Sequence, residues 1–275
     1  VKLLPKPEST KVILASFSSA SDAGDVVSDI INSGIIPAGL EMMDNMTIRA
    51  AEDFLNAGYP TDADVILLCE MDGSHSEVEE SVNEVTEICK AGGATDVKLA
   101  KDEEERKLFW AGRKAAFPAV GRISPDYYCI DGTIKRQHLS KVLQSIEALS
   151  EEYQLKVANV FHAGDGNLHP MVLYDANKPG ELERAEELGG KILELCISVG
   201  GTITGEHGVG IEKINQMCIQ FQPEALEQFH RLKDAFDPER ILNPGKAIPT
   251  LQRCAEFGAM HVHGNNLPHP ELPRF

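Results

Sequence analysis

The run Phe161-His162-Ala163-Gly164-Asp165-Gly166-Asn167-Leu168-His169 constrains the fold more tightly than any other stretch of this chain. Apolar-rich Val157 to Phe161 leads in and Met171-Val172-Leu173-Tyr174 leads out, so the segment predicts two antiparallel strands turning on Asp165-Gly166. A two-residue turn there sets Gly164 opposite Asn167, Ala163 opposite Leu168 and His162 opposite His169, with cross-strand Cβ atoms about 4.5–5.5 Å apart. Two imidazoles at that separation either share one metal ion or are polar side chains at a strand end. The stretch Gly201-Thr202-Ile203-Thr204-Gly205-Glu206-His207-Gly208-Val209-Gly210 favours the first reading. It is a short strand ending in a glycine-flanked Glu-His pair, which offers a third ligand, Glu206, and a base, His207.

Hydrophobic periodicity supplies the elements around this hairpin. Strands are predicted over 11–17, 35–43, 64–71 and 96–100, with helices over 21–33, 45–56 and 76–91 between them. Strand, helix, strand, strand, helix, strand is the split βαβ, or ferredoxin-like, order, interrupted by the short helix 45–56. The order recurs further along. Strand 126–130, helix 137–153, the hairpin strands 156–162 and 168–174, helix 181–199 and strand 202–204 form an apparent duplicate. The expected class is therefore α+β, two ferredoxin-like units with antiparallel sheet, followed by C-terminal helices over 211–219 and 223–236. In such a unit the end of the second strand, the start of the third and the end of the fourth share one sheet edge, which groups His162, His169 and Glu206.

An acidic helix, 102–116, joins the two units and ends in a Pro-Gly-rich loop, 118–125. Most of its charges read as a solvated face. Arg113, close to the only tryptophan, Trp110, reads either as a planar fork for a carboxylate or as a surface arginine paired with a neighbouring acid.

Charge narrows the partners. The formal net charge of −17, from 43 acidic against 26 basic residues, argues against nucleic acid and against an anionic membrane surface. No apolar run approaches the roughly 18 residues of a membrane span. A cytoplasmic protein is expected. The six cysteines are scattered without a C-x-x-C pair and read as reduced core thiols. Residues 1–10 read as a linker entering from an upstream domain, 11–240 as the main α+β domain, and 241–275 as a docking segment whose histidines (His261, His263, His269) are an alternative metal-binding feature.

Three motifs in fixed order, His162 to His169, Gly205 to Gly210 and Leu242-Asn243-Pro244-Gly245-Lys246, resemble the carboxy-terminal domain of FAD-linked oxidases of the vanillyl-alcohol oxidase type. The segments 39–44, 109–132 and 253–263 narrow the resemblance to the bacterial glycolate oxidase type, over essentially the whole chain. Lys135 departs from the family pattern, which usually has proline there, and no glycine-rich phosphate cradle is present to serve as the family's flavin domain.

The resemblance implies oxidation of a 2-hydroxy acid such as glycolate or D-lactate to the 2-oxo acid, with the α-hydrogen passing to FAD held mainly by an N-terminal domain. It implies a divalent metal (zinc, iron or manganese) on His162, His169 and Glu206. His207 is then the base, Arg113 the carboxylate clamp, and Asn243 a contact to the isoalloxazine edge or the domain interface. A second flavin-type subunit and an iron–sulfur subunit are the implied partners. The rival readings are a non-catalytic metal-binding or subunit-assembly module and a metal hydrolase.

Overall fold

The computed structural model describes residues 6–250, so the tail histidines His261, His263 and His269 lie outside the described residues. The first strands and helices alternate as Ser9–Phe17 (β1), Ala20–Asn32 (α1), Gly39–Asp44 (β2), Asn45–Leu55 (α2), Val65–Gly73 (β3), His75–Ala91 (α3), Asp96–Leu99 (β4) and Glu103–Val120 (α4). Asp126–Cys129 (β5), Gly132–Thr133 (β6), Leu139–Tyr153 (α5), Val157–His162 (β7), Asn167–Tyr174 (β8), Glu181–Ser198 (α6), Ile214–Gln220 (α7) and Pro223–Phe236 (α8) follow. The first four helices begin where a serine or aspartate can satisfy an orphan N–H. Ser19, Asp44, Ser74 and Asp102 each accept from the backbone of the residue three positions on. Ser74 and Glu77 complete a reciprocal capping box.

The strands form one antiparallel sheet in the order β4-β1-β3-β2-β7-β8-β5, with β6 pairing β8. Its first four strands have the split βαβ order. The expected duplicate is not completed. β5, β8 and β7 lie side by side as that unit requires, but the strand expected over 202–204 is reduced to a single bridge between Thr133 and Thr202. β6 and the turns around it occupy that edge, and Asp131 draws Thr204 and Gly205 out of strand geometry through its own hydrogen bonds. The two halves meet across a short seam, Met42 opposite Phe161 and Met43 opposite Val160.

Alternation along the strands gives the sheet two buried faces. Val12, Leu14, Met43, Ile66, Leu68, Val160 and Met171 pack under α2 and α4 with Phe109, Ala116 and Ala119. Ile13, Phe17, Leu67 and Cys69 point the other way, over which α3, α1, α5 and α6 form a connected row. Burial pushes the Cys89 thiol up to about 12, so this face keeps its thiols protonated. Helix α4 runs through Pro118, where a loop was expected. The proline removes one N–H, and buried Ala115, Ala116, Ala119 and Val120 hold the last turn in place despite it.

The chain divides into two compact units after Gly205. The second contains α7 and α8, joined by an edge-to-face pair of Phe221 and Phe229 with centroids 5.1 Å apart. Asp237 closes α8, accepting from Lys233 and from the backbone N–H groups of Ile241 and Leu242. Among the described residues no helix is long and apolar enough to cross a membrane.

Candidate functional site

The hairpin turns four residues wide, not two. His162 pairs with Asn167, Phe161 with Leu168, and His169 with Val160, leaving Ala163 to Gly166 as the loop. Its register answers to the surroundings more than to the Asp-Gly turn. Gly164 N–H donates to Leu40 O, and Gly166 O accepts from Ile134 N–H, both at 2.9 Å. Gly166 has φ +73°, and a Cβ there would lie 2.2 Å from the Ile134 carbonyl, so only glycine fits. The expected His162–His169 facing pair is thus corrected to a diagonal one. Because side chains alternate along a strand, the slip of two leaves both imidazoles on the α4 face. Their rings are 5.2 Å apart between centroids and nearly perpendicular at 86°.

Each ring has an oxygen acceptor behind it. His162 Nδ1 lies 2.8 Å from Glu41 Oε1, and His169 Nδ1 lies 3.2 Å from the Ile130 carbonyl. A carboxylate or carbonyl can only accept, so both Nδ1 atoms carry a proton. Asn167 Nδ2 sits 3.4 Å from His169 Nε2, in keeping with that tautomer. An oxygen acceptor behind Nδ1 is the usual setting of a metal-ligating histidine. His169 is buried and stacks edgewise near Phe117 at 6.2 Å, while His162 retains about a third of its side-chain exposure (35%).

Glu41 was not singled out as a site residue from the sequence. Its signal was present: it is the one charged residue inside the otherwise apolar centre of β2. The seam register, carried one residue beyond Met42–Phe161, sets it across from His162. Its second oxygen, Oε2, accepts from Arg113 Nε at 2.9 Å, and Arg113 Nη2 lies 2.8 Å from the same oxygen. Arg113 is therefore neither at the surface nor free of a protein carboxylate, since it is 6% exposed and ion-paired. Nη2 meets that oxygen off its N–H line and makes no hydrogen bond. A buried guanidinium with an unspent donor can take a further acceptor, preferably a carboxylate.

One stripe of α4 organises this face. Arg106, Trp110, Arg113 and Phe117 recur at helical spacing. Arg106 and Trp110 both donate to Glu70 Oε2 at 2.6 Å, Arg113 meets Glu41, and Phe117 reaches His169.

Asp131, fully buried, ties the end of the first unit. Its Oδ2 accepts from Thr204 Oγ1 at 2.7 Å and its Oδ1 from Gly205 N–H at 3.1 Å. A Cβ on Gly205 would lie 2.6 Å from Asn167 Oδ1, so the chain passes directly over the hairpin only because this residue is glycine. Glu206 and His207 follow as the first residues of the second unit, both exposed. One peptide bond, about 3.8 Å between Cα atoms, separates Glu206 from the anchored Gly205. Asn243 lies in the second unit, exposed, with φ +45°. The structure of the first unit thus brings together His162, His169 and, through Glu41, Arg113.

Residues 6–247 match the family model of FAD linked oxidases, C-terminal domain. The chain is 67% identical over 275 residues to glycolate oxidase subunit GlcD of Escherichia coli K12, covering all of this chain and 55% of that protein. It is 40% identical to the subunit of that name from Bacillus subtilis, covering 90% of this chain and 52% of the relative. A probable mitochondrial D-lactate dehydrogenase of Danio rerio is 30% identical over 93% of this chain and 52% of its own length. The chain thus spans about half the length of these relatives. Among solved structures, p-cresol methylhydroxylase aligns with a TM-score of 0.71 at 16% identity, over 90% of this chain and 54% of that one, a likeness of fold.

Proposed function

Because the chain belongs to the C-terminal domain family of FAD linked oxidases, we propose that it is the substrate side of a flavin-dependent 2-hydroxy acid dehydrogenase that oxidises glycolate or D-lactate to the 2-oxo acid. The observation that supports this reading is the pair of imidazoles on one face of the sheet, 5.2 Å apart between ring centroids, each with its Nδ1 against an oxygen acceptor. His162 and His169 would hold a divalent ion together with Glu206, which one peptide bond ties to the anchored Gly205. FAD, when bound, accepts the α-hydrogen with its electron pair, and the divalent ion makes the substrate hydroxyl easier to deprotonate.

The rest of the work falls to side chains of this chain. Arg113 holds the substrate carboxylate with the donor that Glu41 leaves unspent. That contact fixes how the α-carbon is turned toward the flavin. His207 takes the hydroxyl proton on a ring nitrogen. Neighbours in an extended segment point to opposite sides, so Glu206 as ligand and His207 as base divide the two roles. Asn243 contributes at the flavin edge or the domain interface. FAD itself would be held mainly by an N-terminal domain of the whole protein, and a second flavin-type subunit and an iron–sulfur subunit would carry the electrons onward and any membrane association.

The test uses the full-length protein. His169→Ala should lose the bound metal seen in the wild type by elemental analysis. His207→Asn should keep metal and flavin while kcat falls roughly 10²–10⁴-fold, the usual contribution of a positioned acid or base. Equal metal content in wild type and His169→Ala would remove the metal site. Metal loss in His207→Asn, with activity falling in proportion, would make His207 a ligand.

A further inference from the structure

We infer that Glu41 is a positioning residue that aims His162 Nε2 at the divalent ion and the Arg113 guanidinium at the substrate carboxylate at the same time. The inference rests on the metal and carboxylate roles proposed above and adds a residue to them.

The geometry is specific. One oxygen of Glu41 takes the His162 Nδ1 proton at 2.8 Å, and the other takes the Arg113 Nε proton at 2.9 Å. Neither oxygen could move to serve one partner without releasing the other. The carboxylate itself has no room to wander. It stands on a strand paired on both sides, among buried Leu40, Met42 and Met43, and is 8% exposed. Packing alone would favour an apolar residue here, because a buried ion pair seldom gains more than it loses in desolvation. A charged residue in this strand, with its two oxygens assigned to a candidate ligand and a candidate clamp, is what an orienting role needs.

The arrangement also couples the two halves of the site. Arg113 offers the side-on edge of its fork to Glu41, which turns Nη2 away from a hydrogen bond with that oxygen and leaves it for another acceptor. His162 receives its tautomer from the same carboxylate. Substrate carboxylate and substrate hydroxyl are then held at a separation set by one side chain.

The competing account makes Glu41 only the counter-ion that neutralises buried Arg113. The two accounts separate in the full-length protein, stripped with a chelator and titrated calorimetrically with Zn²⁺ alone. Glu41→Gln keeps the side-chain volume and should bind Zn²⁺ about 10- to 100-fold more weakly, the usual cost of removing a partner behind a ligating histidine. With Zn²⁺ saturating, it should also raise KM for glycolate more than it lowers kcat. The double variant Glu41→Gln/Arg113→Met removes both charges. Its thermal stability should recover while its Zn²⁺ affinity stays as weak as that of the single variant, and it carries the test should Glu41→Gln alone fail to fold. Wild-type Zn²⁺ affinity in either variant overturns the inference and leaves the metal site standing. Absence of Zn²⁺ binding by the wild type, with His169→Ala unchanged from it, overturns both.

Discussion

Helix α4 meets two carboxylates on the same face of the sheet, and the two meetings differ. At its beginning Glu70 accepts from Arg106 and from Trp110, and Arg106 in turn grips Glu103 through Nε and Nη2 at 2.7 and 2.9 Å. Each of those donors ends on a protein oxygen, so that end is closed. Two turns on, Glu41 accepts from Arg113 and from His162, yet Arg113 keeps an N–H without an acceptor. That end is open. The same chemistry, a sheet carboxylate under a helix cation, spends each of its donors at one end and withholds one at the other. Burial sharpens the contrast: the Arg113 and Glu41 side chains are 7% and 10% exposed, against 22% and 17% for Arg106 and Glu70.

The largest effect that tests this contrast is on stability. Arg113→Ala leaves Glu41 buried without its counter-ion and should cost about 3–5 kcal/mol in urea unfolding, the usual penalty for breaking a buried pair. Arg106→Ala at the wetter end should cost about 1 kcal/mol. Equal losses would erase the distinction between the two ends.

The next is on substrate. Lysine can replace the charge of Arg113 but not its fork, so in the full-length protein Arg113→Lys should lose one charge-assisted hydrogen bond, about 1.5–3 kcal/mol. That corresponds to a rise in KM for glycolate of roughly 10- to 100-fold in steady-state kinetics. Unchanged KM would return Arg113 to the role of a partner for Glu41 alone.

The smallest is a titration at the closed end. Hydrogen bonds from Arg106 hold the Glu103 carboxyl down to about 2. A depressed acid adds stability above its ordinary value, and that contribution is lost as pH falls through the depressed one. An NMR pH titration of Glu103 should therefore move back toward the ordinary carboxylate range in Arg106→Gln. No movement would detach Glu103 from the closed network.

Much of the fold was legible because it depends on local periodicity. The alternation in 11–17 and 64–71 and the helical spacing of Val78, Val82 and Val85 give β1, β3 and α3 directly, and the split βαβ order of the first four strands follows from their succession. The hairpin was legible as a hairpin, but its register was not. Asp165-Gly166 signals a two-residue turn locally, whereas hydrogen bonds to Leu40 and from Ile134, far away in sequence, hold it open at four. A slip of two keeps His162 and His169 on one face of the sheet. Arg113 was visible as a candidate, but its burial was not, since the partner is 72 residues distant. The missing edge strand has the same origin: 202–204 has strand composition, and hydrogen bonds to the side chain and main-chain carbonyl of Asp131, far back in the sequence, divert it.

The seam between the halves of the sheet has a mechanical consequence. Only two residue pairs join β2 to β7 as ladder partners, and just beyond them Glu41 reaches across to His162. Asp44 does the same at the other end, accepting from Asn159 N–H and Nδ2 at 2.7 and 2.9 Å. Any shear of one half against the other would have to stretch those side-chain ties. A group bound between His162 and Arg113 would act on this joint as a rivet acts on two plates, and loading the site would stiffen the line along which the two halves could slide.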